Sequence, residues 1–343
     1  MSKLVLGIES SCDETAAAVV EEGRKVRSSV VHSQASIHAE WGGVVPEIAG
    51  RSHLDQILPV IRRALDEADC GLDDLAGIAV TTQPGLIGSL LVGLSAAKAL
   101  AFTRGLPLVG VHHIEAHVYA ATMELENQPV YPCLALVVSG GHTALYRADG
   151  PRSMTPLAST LDDAAGEAFD KVAHLLGLAY PGGPSVSKLA AEGNGKAVRF
   201  PRYRSKDGSP GFSFSGLKTA VLYHLRGGDA LAPTPAPGDI DGRADIAASF
   251  QEAVVDTLVT QTLRCAGDQG LKTLLVAGGV AANRRLREVL TQKAHEAGRE
   301  TYFPSPEYCT DNAVMIAGLG WHHLGDPASR EPGAGLALDA SPR

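Results

Sequence analysis

One pattern is written twice in this chain. An apolar strand at residues 4–8 runs into a polar turn that ends in Thr15. A second strand follows at 16–20, and Glu21-Glu22-Gly23 turns the chain into a third near 26–31. The same grammar returns at 134–138, through the turn Ser139-Gly140-Gly141-His142-Thr143, to a strand at 144–147 and a turn at Asp149-Gly150. A second unit also recurs. Residues 77–82 read as an apolar strand that passes through Pro84-Gly85 into a long helix. Residues 273–277 pass through Gly278-Gly279 into a helix through Asn283 and Leu290. Two halves with matching units predict a duplicated α/β architecture. The 343 residues also suit two domains of about 150 residues each.

Composition narrows the function classes. Hydrophobic residues at 45% and charged residues at 20% are ordinary globular values, which excludes a disordered or fibrous chain. Thirty Lys and Arg against 38 Asp and Glu give a net charge of −8, which argues against a general nucleic-acid coat but leaves room for a local basic patch. The five cysteines (12, 70, 133, 265 and 309) are odd in number and form no CxxC, so a zinc ribbon or disulfide framework is not expected. The first eight residues lack signal-peptide character, and the longest apolar stretch, 86–102, contains Lys98 and falls short of a membrane span. These features predict a soluble, cytoplasmic protein that does not use a membrane.

Several groups of residues carry candidate chemistry. His113 and His117 lie four apart, so on a helix both imidazoles project from one face and suit a single metal ion; a structural histidine pair is the alternative. Glu115 is two residues from each, on roughly the opposite face, which deprives a metallopeptidase of its general base. In Ser139-Gly140-Gly141 the missing side chains let backbone N–H groups approach an anion, and Gly278-Gly279 would present a helix N-terminus. Residues 161–176 read as an amphipathic helix with Ala165, Ala168, Phe169, Val172 and Leu176 inward. Its acids Asp163, Glu167 and Asp170 form either a solvated face or ligand acceptors. Small residues four apart (Ser89, Gly93, Ala97, Ala101) predict close packing. Arg199, Arg202, Arg204 and Lys206, interleaved with Phe200 and Tyr203, form one cationic cluster; Arg284, Arg285 and Arg287 form another. The segment 227–242 reads as a mobile loop and 326–343 as a flexible tail.

Eight motifs in order then carry a resemblance: GIESSCDET at 7–15, GGVVPE at 42–47, HHIEAH at 112–117, VSGGHT at 138–143, DDAAGEAFDK at 162–171, YPGGP at 180–184, FSFSGLK at 212–218 and GGVAAN at 278–283. The chain closely resembles the bacterial TsaD family of tRNA threonylcarbamoyladenosine transferases, once labelled glycoproteases, to about Trp321. The resemblance implies the actin-like ATPase fold of sugar kinases and heat-shock chaperones, with two similar lobes around a ligand cleft. Laid on this chain, it divides into lobe I at 1–110, lobe II at 111–311 and a helix at about 312–325 that returns to lobe I. It implies transfer of a threonylcarbamoyl group from threonylcarbamoyl-AMP to N6 of adenosine 37 in tRNAs reading ANN codons. It also implies one metal ion, Fe(2+) before Zn(2+), on His113, His117 and Asp311. Val137, Val138, Ser139, Gly140, Gly141, Asp170, Gly183 and Asn283 match substrate-contacting positions, and Ser187 stands where many relatives carry an Asp. Implied partners are tRNA, an inactive TsaB-like paralogue and a small TsaE-like P-loop ATPase. Asp13, Glu14 or the leaving phosphate would take the amine proton. A metallopeptidase and a non-catalytic ATP-binding regulator are the competing readings.

Overall fold

Alternation along the first strands shows why a layered structure forms. Leu6, Ile8, Ala17, Val19, Ile78 and Val80 belong to one buried cluster, while Val5, Ala16, Ala18, Val20 and Ala79 belong to another. Successive strand residues point to opposite faces, so a sheet apolar on both faces must be covered on both. The computed structural model describes residues 3–125, 130–205, 208–229, 231–326 and 337–342. Lys206 of the first basic cluster lies outside them.

In chain order the elements are β1 (Leu4–Glu9), β2 (Glu14–Glu21), β3 (Lys25–Ser33), α1 (Ala35–Ala39), α2 (Pro46–Glu67), β4 (Leu75–Gln83), α3 (Ile87–Arg104), β5 (Leu108–His112) and α4 (His113–Met123). There follow β6 (Cys133–Val138), β7 (Thr143–Gly150), β8 (Ser153–Ser159), α5 (Ala165–Leu175), α6 (Gly182–Ala190), α7 (Ser215–Leu225) and α8 (Arg243–Asp268). The chain closes with β9 (Thr273–Ala277), α9 (Arg284–Glu296), β10 (Glu300–Tyr302), α10 (Pro306–Cys309) and α11 (Ala313–Leu324).

Among the described residues the strands form two five-stranded sheets, ordered β3-β2-β1-β4-β5 and β10-β9-β6-β7-β8. In the first, β1 pairs antiparallel with β2 and parallel with β4; in the second, β6 pairs antiparallel with β7 and parallel with β9. Read outward from β1 and from β6, the two orders are the same, so the duplicated grammar of the sequence is a duplicated topology. The chain divides into two compact units. The first comprises Met1–Pro129, Gly150–Met154 and Pro304–Arg343, and the second Val130–Asp149 and Thr155–Phe303.

In the first unit α2 and α3 pack on the cluster containing Leu6 and Ile8, and α4 and α11 pack on the opposite cluster. The small-residue stripe of α3 is buried as expected, and a Cβ on Gly93 would stand 2.4 Å from Ser10 Oγ. α11 presses on β1: a Cβ on Gly7 would lie 2.3 Å from the Ala313 carbonyl oxygen. That contact brings the residues just before α11 to the carboxyl end of β1. Of the tail, Leu338 and Ala340 pack against the Leu6–Ile8 cluster, and Ser341 N–H donates to the Thr82 carbonyl at 2.8 Å.

In the second unit α5 begins at Ala165, later than the expected 161. Asp162 is drawn away from its own helix: its carboxylate accepts the Phe214 and Ser215 N–H groups at 2.8 and 3.2 Å and both the Ser213 and Ser215 hydroxyls at 2.6 Å. The five apolar positions of α5 and its extension are buried as the periodicity predicted. The helix expected directly after Gly278-Gly279 also starts later. A short 3-10 turn, Gly279–Ala282, intervenes, and Asn283 caps α9 by accepting the Leu286 N–H at 3.0 Å.

Candidate metal centre and donor loops

Two chain segments of the first unit deliver one cluster. β5 ends at His112 and α4 starts at His113, so His113 and His117 occupy one face of its first turns. Asp311 precedes Asn312, whose side chain caps α11 by accepting the Met315 N–H at 3.0 Å. The ligand atoms of His113, His117 and Asp311 all lie within 4.8 Å of one another. Asp311 Oδ1 is 3.4 Å from His113 Nε2 and 3.0 Å from His117 Nε2.

Glu9 stands behind this trio. It is fully buried at the end of β1, a position the sequence showed only as the start of a polar turn. Its carboxylate faces His113 Nδ1 at 3.0 Å and accepts the Thr81 hydroxyl at 2.6 Å and the Ser11 N–H at 2.5 Å. A carboxylate on Nδ1 fixes the ring so that Nε2 faces Asp311 and His117. Its signal in the sequence was an acid closing an apolar run; its partner lies 104 residues away.

The charges agree with a cation site. Burial pushes the Asp311 carboxyl up, but the His113 charge and hydrogen bonds from both imidazoles hold it well below the usual range. Burial pushes His113 down, but the charges of Asp311 and Glu9 raise it well above an ordinary histidine. Glu9 follows the same logic: burial opposes ionisation, and His113 overcomes it. The buried Glu9 and half-buried Asp311 carboxylates thus favour positive charge on the imidazole between them, and a metal ion supplies the same charge. His117 Nδ1 is buried without a hydrogen-bond partner among the described residues. Two imidazoles and a carboxylate, with an acid orienting one ring, fit a divalent transition-metal ion.

Asp13 ends the β1–β2 turn and Glu14 opens β2 in the same unit. Burial, the Asp311 charge and Asp13 push the Glu14 carboxyl up to about 9, while the Ser33 hydroxyl donates to it at 3.1 Å. Glu115, by contrast, is outside the three-residue donor set.

The sequence-derived substrate positions all fall in the second unit. Val137 and Val138 are buried at the end of β6. Ser139 N–H donates to the His142 carbonyl at 2.8 Å, and His142 N–H donates to Ser139 Oγ at 3.1 Å, closing the turn. The turn is held from two sides. Gly166 N–H donates to the Ser139 carbonyl at 3.2 Å, and Gly278 (φ +89°) approaches β6 so closely that a Cβ would lie 2.5 Å from the Val138 oxygen. Cβ atoms on Gly140, Gly141, Gly183 or Gly279 would meet no atom within 4 Å. Asp170 accepts the Gly182 N–H at 2.7 Å and so anchors the YPGGP turn. Of the other two acids, Asp163 just before α5 and Glu167 in its first turn are bridged by Lys171, 2.7 Å from each. The Asn283 amide donates to Ser187 Oγ and to Gln251 Oε1, each at 2.9 Å. Ser187 thus takes a place in the network that holds Asn283.

Comparison with known proteins follows this geometry. The family model for TsaD, tRNA N6-adenosine threonylcarbamoyltransferase, matches residues 25–318. A tRNA N6-adenosine threonylcarbamoyltransferase of Geobacter sulfurreducens is 55% identical over 339 residues, covering 98% of this chain and 95% of the relative. The protein of that name from Geobacter sp. strain M21 is 53% identical over 339 residues, covering 99% of this chain and 95% of the relative. Among solved structures, full-length HypF in its phosphate- and nucleotide-bound form aligns with a TM-score of 0.62 at 15% identity, over 95% of this chain and 47% of HypF. Component A of the Acidaminococcus fermentans (R)-2-hydroxyglutaryl-CoA dehydratase aligns with a TM-score of 0.55 at 13% identity, over 95% of this chain and all of that one. These structural likenesses bear out the actin-like ATPase fold. With a family match across most of its length and relatives above half identity over nearly all of it, the chain belongs to the TsaD family of tRNA N6-adenosine threonylcarbamoyltransferases.

Proposed function

We propose that this chain transfers the threonylcarbamoyl group of threonylcarbamoyl-AMP to N6 of adenosine 37 in tRNAs reading ANN codons. The observation that carries the reading is family membership together with the His113–His117–Asp311 donor set, both imidazoles buried and the carboxylate half-buried. In the reaction the N6 amine attacks the carbamoyl carbon. A C–N bond forms, the C–O bond to the phosphate breaks, AMP departs with the electron pair, and N6 gives up a proton. The donor is a mixed anhydride, so the protein needs no nucleophile; it must hold, polarise and align. Alignment of an amine against a bound carbonyl contributes up to about 7–11 kcal/mol.

His113, His117 and Asp311 would hold a divalent ion, iron or zinc, with Glu9 orienting His113. When bound, such an ion supplies a Lewis acid for developing negative charge. Gly140 and Gly141 would offer backbone N–H groups to the donor's phosphate and acyl end, with Ser139 closing the turn that presents them, and Gly183 and Gly279 leave room for its approach. Asp170 and Asn283 would set the walls of that pocket through Gly182 and through Ser187 and Gln251. Asp13 and Glu14 are the proton-handling pair. The raised Glu14 carboxyl suits a proton-handling role beside Asp13.

An inactive TsaB-like paralogue would dock on the outer face of the first unit. There α2 and α3 pack together and expose Leu54, Leu58, Ile87 and Leu91, with Ile37 and Trp41 beside α1. Exposed apolar groups in such number mark an interaction surface. A small TsaE-like P-loop ATPase completes the set, and a tRNA substrate puts the reaction in the cytoplasm. The metallopeptidase reading is not favoured: the family match is to a transferase, and no Glu directly follows His113 to serve as a general base.

The test is a nucleoside digest of unmodified tRNA after incubation with the chain, its synthesis partners, threonine, bicarbonate and ATP. Threonylcarbamoyladenosine should appear only when the chain is present. Its absence, with threonylcarbamoyl-AMP demonstrably made, would overturn the reading.

A further inference from the structure

The two basic clusters have different fates in the fold. Arg285 forms a two-pronged pair with Glu252, and Arg284 lies 2.7 Å from Glu288. Arg287 donates to the Ala281 carbonyl at 2.7 Å and lies over the Phe303 ring at 4.9 Å. That cluster is neutralised or committed to the fold.

The other cluster is not. Lys196, Arg199 and Arg204 are exposed, and α8 adds a fourth exposed cation, Arg264, that the linear cluster did not contain. None of the four has a carboxylate partner among the described residues. They line two cavities of about 660 and 370 Å³, which share Arg202, Arg204 and Asp256 and so form one groove. Asp256 is the only acid among the lining residues. It already faces Arg202 and Lys293, each at 3.5 Å. Arg202 is further tied to the Phe200 carbonyl at 2.6 Å and serves as a wall. Phe200 is 3% exposed, so it offers no stacking platform to a base. A groove with four cations free of carboxylate partners is suited to contact phosphates, with the half-buried Tyr203 as the partly exposed ring among its lining residues.

We infer that this groove, built from Lys196, Arg199, Arg204 and Arg264, takes the phosphodiester backbone of the tRNA substrate. The inference rests on the transferase reading and adds where the polyanion lies on a chain whose net charge is −8. An overall acidic surface repels RNA, so association must concentrate on a local run of unpaired cations. The four side chains come from two separate segments, 196–204 and α8, which extends the contact along the groove.

The experiment measures binding of an unmodified tRNA transcript to the full chain over a salt series. Three proteins are compared: wild type, an Arg199→Ala/Arg204→Ala/Arg264→Ala variant, and a charge-matched Arg284→Ala/Arg285→Ala/Arg287→Ala variant. Thermal melting confirms folding, and Arg204→Glu serves if the triple variant is unstable. Each phosphate contact contributes about 0.7–0.9 to the slope of log affinity against log salt. The groove variant should therefore bind more weakly with a slope about two units shallower. The wild type's advantage should then shrink about sixteenfold between about 50 and 200 mM salt. The charge-matched variant should keep the wild-type slope. A wild-type slope in the groove variant, or equal flattening in both variants, would overturn the inference. Transfer by the wild type is assayed in parallel: its loss would sink the transferase reading, whereas normal transfer with an unaltered groove variant sinks the groove alone.

Discussion

Glu9 illustrates how one side chain sets a site it does not enter. Its carboxylate gathers His113 Nδ1, the Thr81 hydroxyl and the Ser11 N–H, and thereby orients a ring whose other nitrogen faces the metal position. Glu9→Gln keeps the shape and removes the charge. We expect metal affinity, read by chelator competition, to fall about 10–100-fold, as for other partners that orient a metal-bound imidazole. Unchanged affinity would strip Glu9 of that role. The residue scale is also where the sequence was least legible. His113 and His117 were readable because four residues make one helical face. Asp311 sits 194 residues from His117 and entered only through the resemblance, and Glu9 was not singled out at all. The arginines at 284–287 stood second to those at 199–204 as phosphate contacts, and nothing local showed that Glu252, 33 residues away, engages Arg285.

At the scale of elements, the FSFSGLK motif is explained by Asp162. Its carboxylate receives two N–H groups and two hydroxyls at the start of α7, so an acid from a different segment caps that helix. The period of 161–176 was read correctly and its start was not, because the pattern of apolar residues carries no sign that Asp162 belongs to another helix. Asp162→Ala should cost about 1 kcal/mol, the usual loss for a removed cap. Burial alone would raise the Asp162 carboxyl, but the Ser213 and Ser215 hydroxyls and the Phe214 and Ser215 N–H groups hold it below its ordinary value. A depressed native value means the stabilisation is complete above the unfolded-state value of about 3.9 and drains away as pH falls through the native one. The melting gap between wild type and Asp162→Ala should therefore be full near neutrality and shrink in acid. A gap that stays constant across that range would contradict the capping account.

For the whole molecule, the duplicated grammar was the most legible feature, since strand order follows from local signals repeated in order. The composition of the units was less so. The first gathers three separate stretches of chain, and α11 reaches β1 only because Gly7 leaves room for it. That return places Asp311 with His113 and His117, so the donor set depends on packing between the two ends of the sequence. In the function proposed above, transfer runs at this cluster. The most direct test is single-turnover transfer from purified threonylcarbamoyl-AMP to unmodified tRNA, with partners present and the metal content of each protein measured. Wild type should hold about one divalent ion per chain, as a single donor set requires, and form the modified nucleoside. His113→Ala should lose both the ion and most of the product while remaining folded. Wild-type product from a folded His113→Ala protein without metal would contradict the claim.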